Sequence, residues 1–281
     1  MSAQTDNAGQ VAYWNGPHGK LWAKEQEKRD RDHAPMTEAG IALAAPKPGE
    51  RVLDIGCGSG TTTLKLAARV APSGEAVGVD ISGPMLAVAR RRAAEAPGRA
   101  NFIEADATDY AFESESFDLA FSQFGVMFFA DPAATFRNIY GAMKKGGRLV
   151  FVCWRGPFEN PWSAVPEAAA RPFLPPPVPA SPDAPGRYSF ANPDRVKSIL
   201  LQAGFHAVAI EKFDTRIHLG NTPEEAASSS IDAGPLLRTL ADVDEATRAK
   251  VRAAVTARLV HELEPGGIYL SAGCWLVRAG T

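Results

Sequence analysis

A glycine-rich turn follows the first strongly apolar run of the sequence. Residues 51–60 read RVLDIGCGSG, so three glycines stand at alternate positions between an apolar run and the helical pattern of residues 61–70. Glycines permit positive φ and allow a ligand to approach the backbone, and the start of a helix presents free N–H groups. The segment therefore predicts a small-molecule binding loop at the end of a strand.

An acidic residue, Asp80, ends the second apolar run, at a position suited to binding a nucleoside. Asp80 lies 20 residues after Gly60, at the end of the apolar run EAVGVD. A carboxylate at that position can accept hydrogen bonds from both hydroxyls of an adenosine ribose. The turn and the acid together indicate an adenosine-containing cofactor more strongly than either feature alone.

The charge near the turn distinguishes between adenosine cofactors. Asp54 precedes the glycines, where a pyrophosphate would meet a like charge, and Thr61 stands where a dinucleotide fingerprint requires glycine or alanine. S-adenosylmethionine carries an ammonium and a sulfonium, which a carboxylate attracts with about 1.5–3 kcal/mol per charged hydrogen bond. We therefore expect S-adenosylmethionine. The alternatives are a structural acceptor for Asp54 and a helix-start acid for Asp80.

A third acid, Asp106, follows the third apolar run, NFIEA. Ligands of open parallel sheets bind at the carboxyl ends of the strands. We expect this carboxylate to accept from the exocyclic amine of adenine, with the backbone of Ala107 beside it. A turn-forming aspartate is the alternative interpretation.

Short apolar runs alternate with helical patterns from residue 51 onwards, as expected for crossover units on a parallel sheet with helices on both faces. The predicted strands are residues 51–55, 76–79, 101–105, 117–121, 148–154, 205–213 and 267–277. The predicted helices between them are residues 61–70, 84–95, 133–144 and 192–203.

An N-terminal lid is predicted before this alternation, over residues 1–48. Residues 13–45 read as two helical segments with Pro35 near their junction. The charged run KEQEKRDR within them mixes both signs at helical spacing, which is typical of a solvated helix face.

A cofactor-binding domain is predicted over residues 49–281, with two cap segments inserted in it. The first, at about 155–191, contains a cluster of prolines that interrupts the regular pattern. The second, at about 221–264, is helical with an interruption at Gly234-Pro235. Both are expected on the substrate side of the sheet.

The ordered set of segments resembles class I S-adenosylmethionine-dependent methyltransferases. VLDIGCGSG, VGVDIS, the Asp106 loop, FDLAFSQFGVMFFADP and GGRLVFVCW match the motifs of that family in order and spacing over residues 50–154. The most similar branch is the small-molecule group that includes ubiquinone and menaquinone C-methyltransferases. The resemblance implies an α/β, Rossmann-like sheet of seven strands, the last antiparallel. It also implies an enzyme that transfers the methyl group to a small molecule by in-line displacement.

The resemblance also implies roles for the motif residues. The residues at the methionine end and ribose of the cofactor would be Asp54, Gly56, Gly58, Gly60 and Asp80, and those at the adenine Ile81, Met85, Asp106 and Ala107. Ser122, Gln123 and Phe124 follow the fourth strand, where the methyl group meets its acceptor. Methyltransferases of DNA adenine carry Asn or Asp with Pro-Pro and an aromatic residue there, so Gln123-Phe124 disfavours that substrate.

Aromatic residues of the predicted lid are candidates for closing the site. Trp14 and Trp22 would cover the cofactor and Tyr13 would contact the acceptor, because aromatic faces attract a sulfonium and exclude water. Packing of the lid against the core would explain them equally well. His18, in the same segment, is the candidate base if the acceptor must lose a proton, and a histidine in a surface loop is the alternative.

Three further residues are candidate contacts of the acceptor by their position in the sequence: Phe124, Trp154 and Tyr188. None of the five histidines forms an i, i+4 pair with another, so no metal site is predicted.

Composition limits the class of partner. Thirty basic and 32 acidic residues give a net charge of -2 without a long basic block, which argues against nucleic acid. Three widely spaced cysteines favour a reducing compartment. The sequence shows neither a signal-peptide pattern nor a run of 18 apolar residues, so we expect a cytoplasmic protein without a membrane partner. The oligomeric state is left open, with a homodimer as one option.

Two other functions are compatible with these residues. A nicotinamide-dependent oxidoreductase could use the same turn, although Asp54 and Thr61 argue against it. A protein that binds S-adenosylmethionine without catalysis is excluded by no sequence feature.

Overall fold

The computed structural model describes residues 7–176, 184–232, 234–237, 239–241 and 243–281. The chain divides into two compact units. The first contains Met1–Trp154, Asp183–Phe213 and Cys274–Thr281, and the second contains Arg155–Pro182 and Asp214–Gly273. None of the described helices is both long and apolar enough to cross a membrane.

The described strands form one sheet with the order β3-β2-β1-β4-β5-β8-β6, and β7 pairs with β8. Pairing is parallel from β3 through β5, and β8 runs antiparallel to β5. The predicted α/β sheet with its antiparallel last strand is therefore confirmed. The strands are β1 Arg51–Ile55, β2 Glu75–Asp80, β3 Ala100–Glu104, β4 Phe117–Gln123, β5 Met143–Trp154, β6 His206–Gly220, β7 Leu263–Glu264 and β8 Gly267–Gly280.

Helices occupy the predicted connections, and their ends follow local capping signals. Ser82 caps the helix after β2 by accepting from the Met85 N–H, and Asn192 and left-handed Gly204 bound α8. The helices are α1 Ala8–Asn15, α2 Pro17–Lys24, α3 Gln26–Ala44, α4 Thr61–Val70, α5 Gly83–Ala93, α6 Pro132–Ala142, α7 Pro161–Ala170, α8 Pro193–Ala203, α9 Pro223–Asp232 and α10 Glu245–Leu259.

The prediction of two N-terminal helices joined near Pro35 is wrong. The breaks fall at Gly16, whose backbone is extended, and at Glu25, so that three helices form and Pro35 lies inside α3. A proline inside a helix removes one N–H and crowds the carbonyl of residue i−4, at a cost of about 3 kcal/mol or more. Burial of Met36 and Ile41 on one face of α3 favours a continuous helix across that position.

The core of the first unit packs α3 and α4 against the centre of the sheet. An ideal Cβ on Gly40 would lie 2.8 Å from a methyl of Val152, so α3 approaches β5 closely. This approach determines which residues of α3 face the carboxyl ends of β4 and β5. The central cluster contains Ile41, Ala44, Val52, Leu66, Ala67, Val70, Ala76, Leu119, Phe121 and Val150.

The second unit has its own polar core. The buried guanidinium of Arg155 pairs with Glu159 and Asp214, at 2.6 Å in each case. The side-chain amide of Asn160 donates to the carbonyls of Arg155 and Gly273. Of the predicted proline-rich segment, residues 177–183 lie outside the described residues.

Candidate active site

The glycine turn after β1 adopts a conformation that favours glycine. Gly56, Gly58 and Gly60 have φ of 66°, 54° and 84°. An ideal Cβ on Gly56 would lie 2.7 Å from the Cα of Gly125, so the turn touches the loop after β4 and leaves no room for a side chain. The turn is therefore bare backbone beside the ends of β1 and β4.

Asp80 is held at the end of β2 by two backbone N–H groups. Its Oδ2 accepts from Gly58 and its Oδ1 from Ser82, at 2.8 Å in each case. Burial raises the pKa of this carboxyl, and the hydrogen bonds from Ser82 and Gly58 oppose that change. Each oxygen retains a further lone pair, so the carboxylate can still accept from two hydroxyls.

Asp54 is completely buried, and its two oxygens differ. Oδ2 accepts from the hydroxyls of Thr62 and Thr63 at 2.6 Å, whereas Oδ1 has no hydrogen-bond partner among the described residues. Burial raises the pKa of Asp54 to about 6. A structural role accounts for Oδ2 alone. Oδ1 is an acceptor suited to a positively charged group.

Asp106 forms the turn that was the alternative interpretation, and its role toward adenine stays a prediction. Its Oδ1 accepts from the Thr108 N–H at 2.9 Å, as in an Asx turn, and its Oδ2 accepts from the side-chain amide of Asn7. Within the described part of the chain, Oδ1 of Asn7 is buried without a partner. Ala107 is buried, and its carbonyl accepts from Asn138.

Ser122 and Gln123, at the end of β4, differ in whether their side chains are hydrogen-bonded within the described protein. The hydroxyl of Ser122 donates to the Ile55 carbonyl at 2.7 Å, which ties β4 to β1. Oε1 of Gln123 is buried, and none of the described residues donates to it. Gln123 is therefore the better candidate for contacting a ligand.

The N-terminal helices are hydrogen-bonded to the loop after β2. Asn15 donates to the Ile81 carbonyl at 2.8 Å and accepts from the Gly83 N–H at 3.0 Å. The Ser82 hydroxyl donates to the Trp14 carbonyl at 2.7 Å. These bonds bring α1 and α2 against the segment that contains Ile81. Met85, in the first turn of α5, is buried, and its sulfur faces Gly58.

The predicted lid residues form one aromatic cluster. The Trp14 ring lies edge-on to the rings of Trp22 and Phe128, with centroids 5.6 and 5.3 Å away. Tyr13 stacks on His18 at 4.2 Å, so His18 lies in this cluster and not in an isolated surface loop. Nε1 of Trp22 is buried without an acceptor in the described structure.

A second histidine, which the sequence interpretation passed over, lies at the end of β4. His33 on α3 is half-buried, with its ring 5.3 Å from Phe124 and 6.2 Å from Trp154. Burial, Arg29 and Lys28 lower the pKa of His33 to about 3, so its imidazole is neutral at physiological pH. The one sequence signal for His33 is its i, i+4 spacing from Arg29, which places both residues on one face of a helix. The sequence does not show that this face of α3 is turned toward the end of β4.

Charged residues at the start of α3 make specific contacts with other parts of the protein. Asp30 pairs with Arg92 at 2.8 Å, and Arg92 also donates to the hydroxyl of Thr61 at the start of α4. The guanidinium of Arg29 lies 3.6 Å above the Trp22 ring. The prediction of a solvated face is therefore wrong for Arg29 and Asp30, because α3 packs between the aromatic cluster and the glycine turn.

Phe124 and Trp154 form a flat aromatic pair. Their rings stack at 4.2 Å with 6° between planes. Phe124 has φ of 63°, a left-handed conformation that costs a bulky residue about 1–3 kcal/mol and that often occurs at functional sites. Tyr188 belongs to a segment anchored on the Met127 carbonyl by the Gly186 N–H and the Ser189 hydroxyl.

Comparison with known proteins agrees with this geometry. A family model described as "Methyltransferase domain" matches residues 52–147. The nocamycin O-methyltransferase of Saccharothrix syringae is 30% identical over 241 residues, which cover 82% of this chain and 83% of that protein. The chain belongs to the class I S-adenosylmethionine-dependent methyltransferases. The resemblance inferred from the sequence motifs is thereby confirmed.

Other relatives of this methyltransferase family match a shorter region. The demethylmenaquinone methyltransferase of Thermus thermophilus is 40% identical over 110 residues, which cover 39% of this chain and 50% of that protein. The chain thus spans about half the length of the first relatives it matches. Haemonchus contortus phosphoethanolamine N-methyltransferase 2, solved with phosphomonomethylethanolamine and S-adenosylhomocysteine, has a TM-score of 0.58. At 20% identity, over 100% of this chain and 60% of that one, it supports the fold alone.

The residues present fit the cofactor of this family. The side-chain oxygens buried without a partner in the described ranges are Oδ1 of Asp54, Oε1 of Gln123 and Oδ1 of Asn7. An ammonium and an amine supply the donors that such oxygens lack, whereas a diphosphate supplies none. Unbonded acceptors around an acidic turn therefore suit S-adenosylmethionine.

Proposed function

We propose that the protein transfers the methyl group of S-adenosylmethionine to a small-molecule acceptor. The observation that supports this most directly is the pair of buried acids beside a bare glycine turn, where one oxygen of Asp54 has no hydrogen-bond partner among the residues described. That environment attracts a cationic nucleoside and repels the diphosphate of a nicotinamide cofactor. The alternative of an oxidoreductase is disfavoured for the same reason.

Each part of the cofactor has residues proposed to hold it. Asp80 would accept from the ribose hydroxyls and Asp106 from the adenine amine, with Ala107, Ile81 and Met85 around the ring. Asp54 and Gln123 would accept from the ammonium. When bound, S-adenosylmethionine supplies an electrophilic methyl group on sulfur, and displacement by an acceptor lone pair leaves a neutral thioether. Alignment of the two partners supplies much of the acceleration in such a reaction.

The N-terminal helices are proposed as the lid of this site. Trp14 and Trp22 would exclude water from the sulfonium, and Asn15 would hold the lid against the loop after β2. Phe124, Trp154 and Tyr13 would surround the acceptor. Tyr188, near the loop after β4, is a more peripheral candidate.

The proposed acceptor is a small molecule and not a nucleic acid. The net charge of -2 does not favour a polyanion. The relatives described above are named for small-molecule acceptors, among them nocamycin and demethylmenaquinone. These names support the class of acceptor.

Ligand-dependent unfolding tests the proposed cofactor. A ligand at 100 times its dissociation constant adds about 2.7 kcal/mol to the free energy of unfolding. We expect S-adenosylmethionine and S-adenosylhomocysteine to raise the midpoint of thermal unfolding and NAD to leave it unchanged. Stabilisation by NAD alone would contradict the proposal. Formation of S-adenosylhomocysteine with a panel of acceptors then separates an enzyme from a protein that only binds.

A further inference from the structure

Arg29 and His33 present two different nitrogen groups from one face of α3. They stand one helical turn apart, and both face aromatic rings. The Arg29 guanidinium lies 3.6 Å above Trp22, and the His33 ring lies edge-on to Phe124 and Trp154. Nε1 of Trp22 adds a buried donor without an acceptor among the residues the structure describes. The aromatic end of the site is therefore rich in hydrogen-bond donors.

Arg29 and Lys28 place positive charge beside His33, which favours a negative charge at that position. Burial lowers the pKa of Arg29 to about 10, so the guanidinium remains charged at physiological pH. Asp32, Glu25 and Tyr13 raise the pKa of Arg29, whereas Arg187 lowers it. Asp32 is also paired with Lys28 at 2.6 Å. His33 cannot readily carry a second positive charge beside Arg29 and Lys28.

We propose that this site selects an acceptor with an acidic hydroxyl on a planar conjugated skeleton, and binds it as the oxyanion. Arg29 attracts the charge, the neutral imidazole of His33 donates a hydrogen bond to the oxygen, and the Phe124–Trp154 pair contacts the flat skeleton. This inference rests on the proposed function, since it assigns the acceptor of that same site.

The proposed ionisation removes the need for a protein base. Burial contributes most to the low pKa of His33 and opposes ionisation of an acceptor as well, but the positive charges of Arg29 and Lys28, which also disfavour the imidazolium, favour an oxyanion over the neutral hydroxyl. The hydroxyl proton passes to solvent when the acceptor binds. The oxygen then carries the lone pair that attacks the methyl carbon, so neither His33 nor His18 has to remove a proton. Arg29 and His33 are assigned to binding and ionisation.

The test measures ionisation of a bound probe without turnover. The probe is 7-hydroxycoumarin, whose phenol and phenolate have distinct absorption spectra, bound to the full-length protein saturated with S-adenosylhomocysteine. We expect the pKa of the bound probe to lie at least about one unit below its value in water, a tenfold preference for the phenolate. Arg29→Leu should abolish most of that shift, and His33→Leu part of it.

The matched control is Arg31→Leu, on the same helix with the same change of charge at an exposed side chain. We expect this variant to retain the full shift. The methyl ether 7-methoxycoumarin should bind at least about tenfold more weakly than the ionised probe. Equal affinity for the ether, an unshifted pKa, or no binding of the probe would overturn the inference.

Cofactor affinity separates this inference from the proposed function. S-adenosylhomocysteine should bind wild type, Arg29→Leu and Arg31→Leu with affinities that agree within about twofold. A tenfold loss in Arg29→Leu alone would assign the guanidinium to the cofactor carboxylate and overturn the inference. Failure of wild type to bind S-adenosylhomocysteine would overturn the proposed function. Cofactor binding without probe binding would overturn the inference alone.

Discussion

Asp54 shows how one side chain can serve both the fold and a ligand. Two threonine hydroxyls of α4 hold Oδ2, which fixes the start of that helix against β1. Oδ1 is fully buried and has no partner in the described part of the chain, a costly arrangement for a carboxylate. The ligand-free protein thus carries an unfavourable charge that a cationic ligand would neutralise.

Replacement of Asp54 by Asn should change how stability depends on pH. A pKa raised from 3.8 to about 6 means that the folded state binds the proton more tightly than the unfolded state. The carboxyl therefore costs up to about 3 kcal/mol of stability, a cost that develops as pH rises from about 4 to above 6. Chemical denaturation of the ligand-free protein at pH 4.5 and at pH 7.5 measures this cost. Between these two pH values, wild type should lose stability relative to Asp54→Asn. Parallel pH profiles would contradict the prediction.

Asp80→Ala should weaken binding of S-adenosylhomocysteine by about 1.5–3 kcal/mol, because charge-assisted hydrogen bonds to the ribose are lost. Titration calorimetry measures the change. Glu104→Gln is the control, since Glu104 pairs with Asp80 in register on the adjacent strand but is exposed. Unchanged affinity in Asp80→Ala would place the ribose elsewhere.

The acids of the turn could be predicted from sequence, whereas His33 could not. Asp54 and Asp80 are adjacent to strand ends, and the parallel sheet brings such ends together regardless of distant detail. The position of His33 depends on how closely Gly40 lets α3 approach β5, which no local pattern encodes. His18 attracted attention through its aromatic neighbours in sequence, and the structure shows that those neighbours are also its neighbours in space.

At the scale of elements, the packing of α1 against α2 depends on the close approach of Gly19 to the Trp14 carbonyl. An ideal Cβ on Gly19 would lie 1.6 Å from the Trp14 carbonyl oxygen, the same oxygen that accepts from Ser82. The two helices can therefore meet at Asn15 and Gly16 only if position 19 has no side chain. This contact was not visible in the sequence, where Gly19 resembles any glycine near a turn.

Gly19→Ala should separate α2 from the end of α1 and destabilise the protein by about 1–3 kcal/mol through overpacking. The substitution should also weaken S-adenosylhomocysteine binding, since the helices are proposed to cover the site. Gly9→Ala is the matched control, because no atom of the described residues lies within 4 Å of its ideal Cβ on α1. That variant should be neutral or stabilised by about 0.5–1 kcal/mol, as expected for alanine in a helix. Equal behaviour of the two variants in thermal unfolding would contradict this prediction.

The boundaries of the elements could be read from sequence where a capping residue marks them. The helix predicted over residues 192–203 agrees with α8, because Asn192 and Gly204 cap its two ends through contacts within a few residues. The prediction at Pro35 failed because the lost hydrogen bond and steric cost of the proline were outweighed by the burial of the surrounding helix face. Capping signals therefore predicted the ends of α8, whereas the breaks at Gly16 and Glu25, which have no side-chain cap, were missed.

At the scale of the molecule, every residue proposed to hold the cofactor belongs to the first unit. Hydrogen exchange with and without S-adenosylhomocysteine should therefore show new protection at residues 55–60, 80–85 and 105–108. Amides of α9 and α10 in the second unit should exchange at unchanged rates. Protection confined to α9 and α10 would contradict the assignment of the site.

The two units alternate along the chain, and this has a consequence for protein engineering. The second unit is made of Arg155–Pro182 and Asp214–Gly273, with residues of the first unit before, between and after them. No single deletion from either terminus can remove the second unit alone. A chimaera that exchanges it with that of a homologue requires four splice junctions, and the last two of them interrupt β6 and β8. Recombination in such a family should therefore succeed only when both segments are exchanged together.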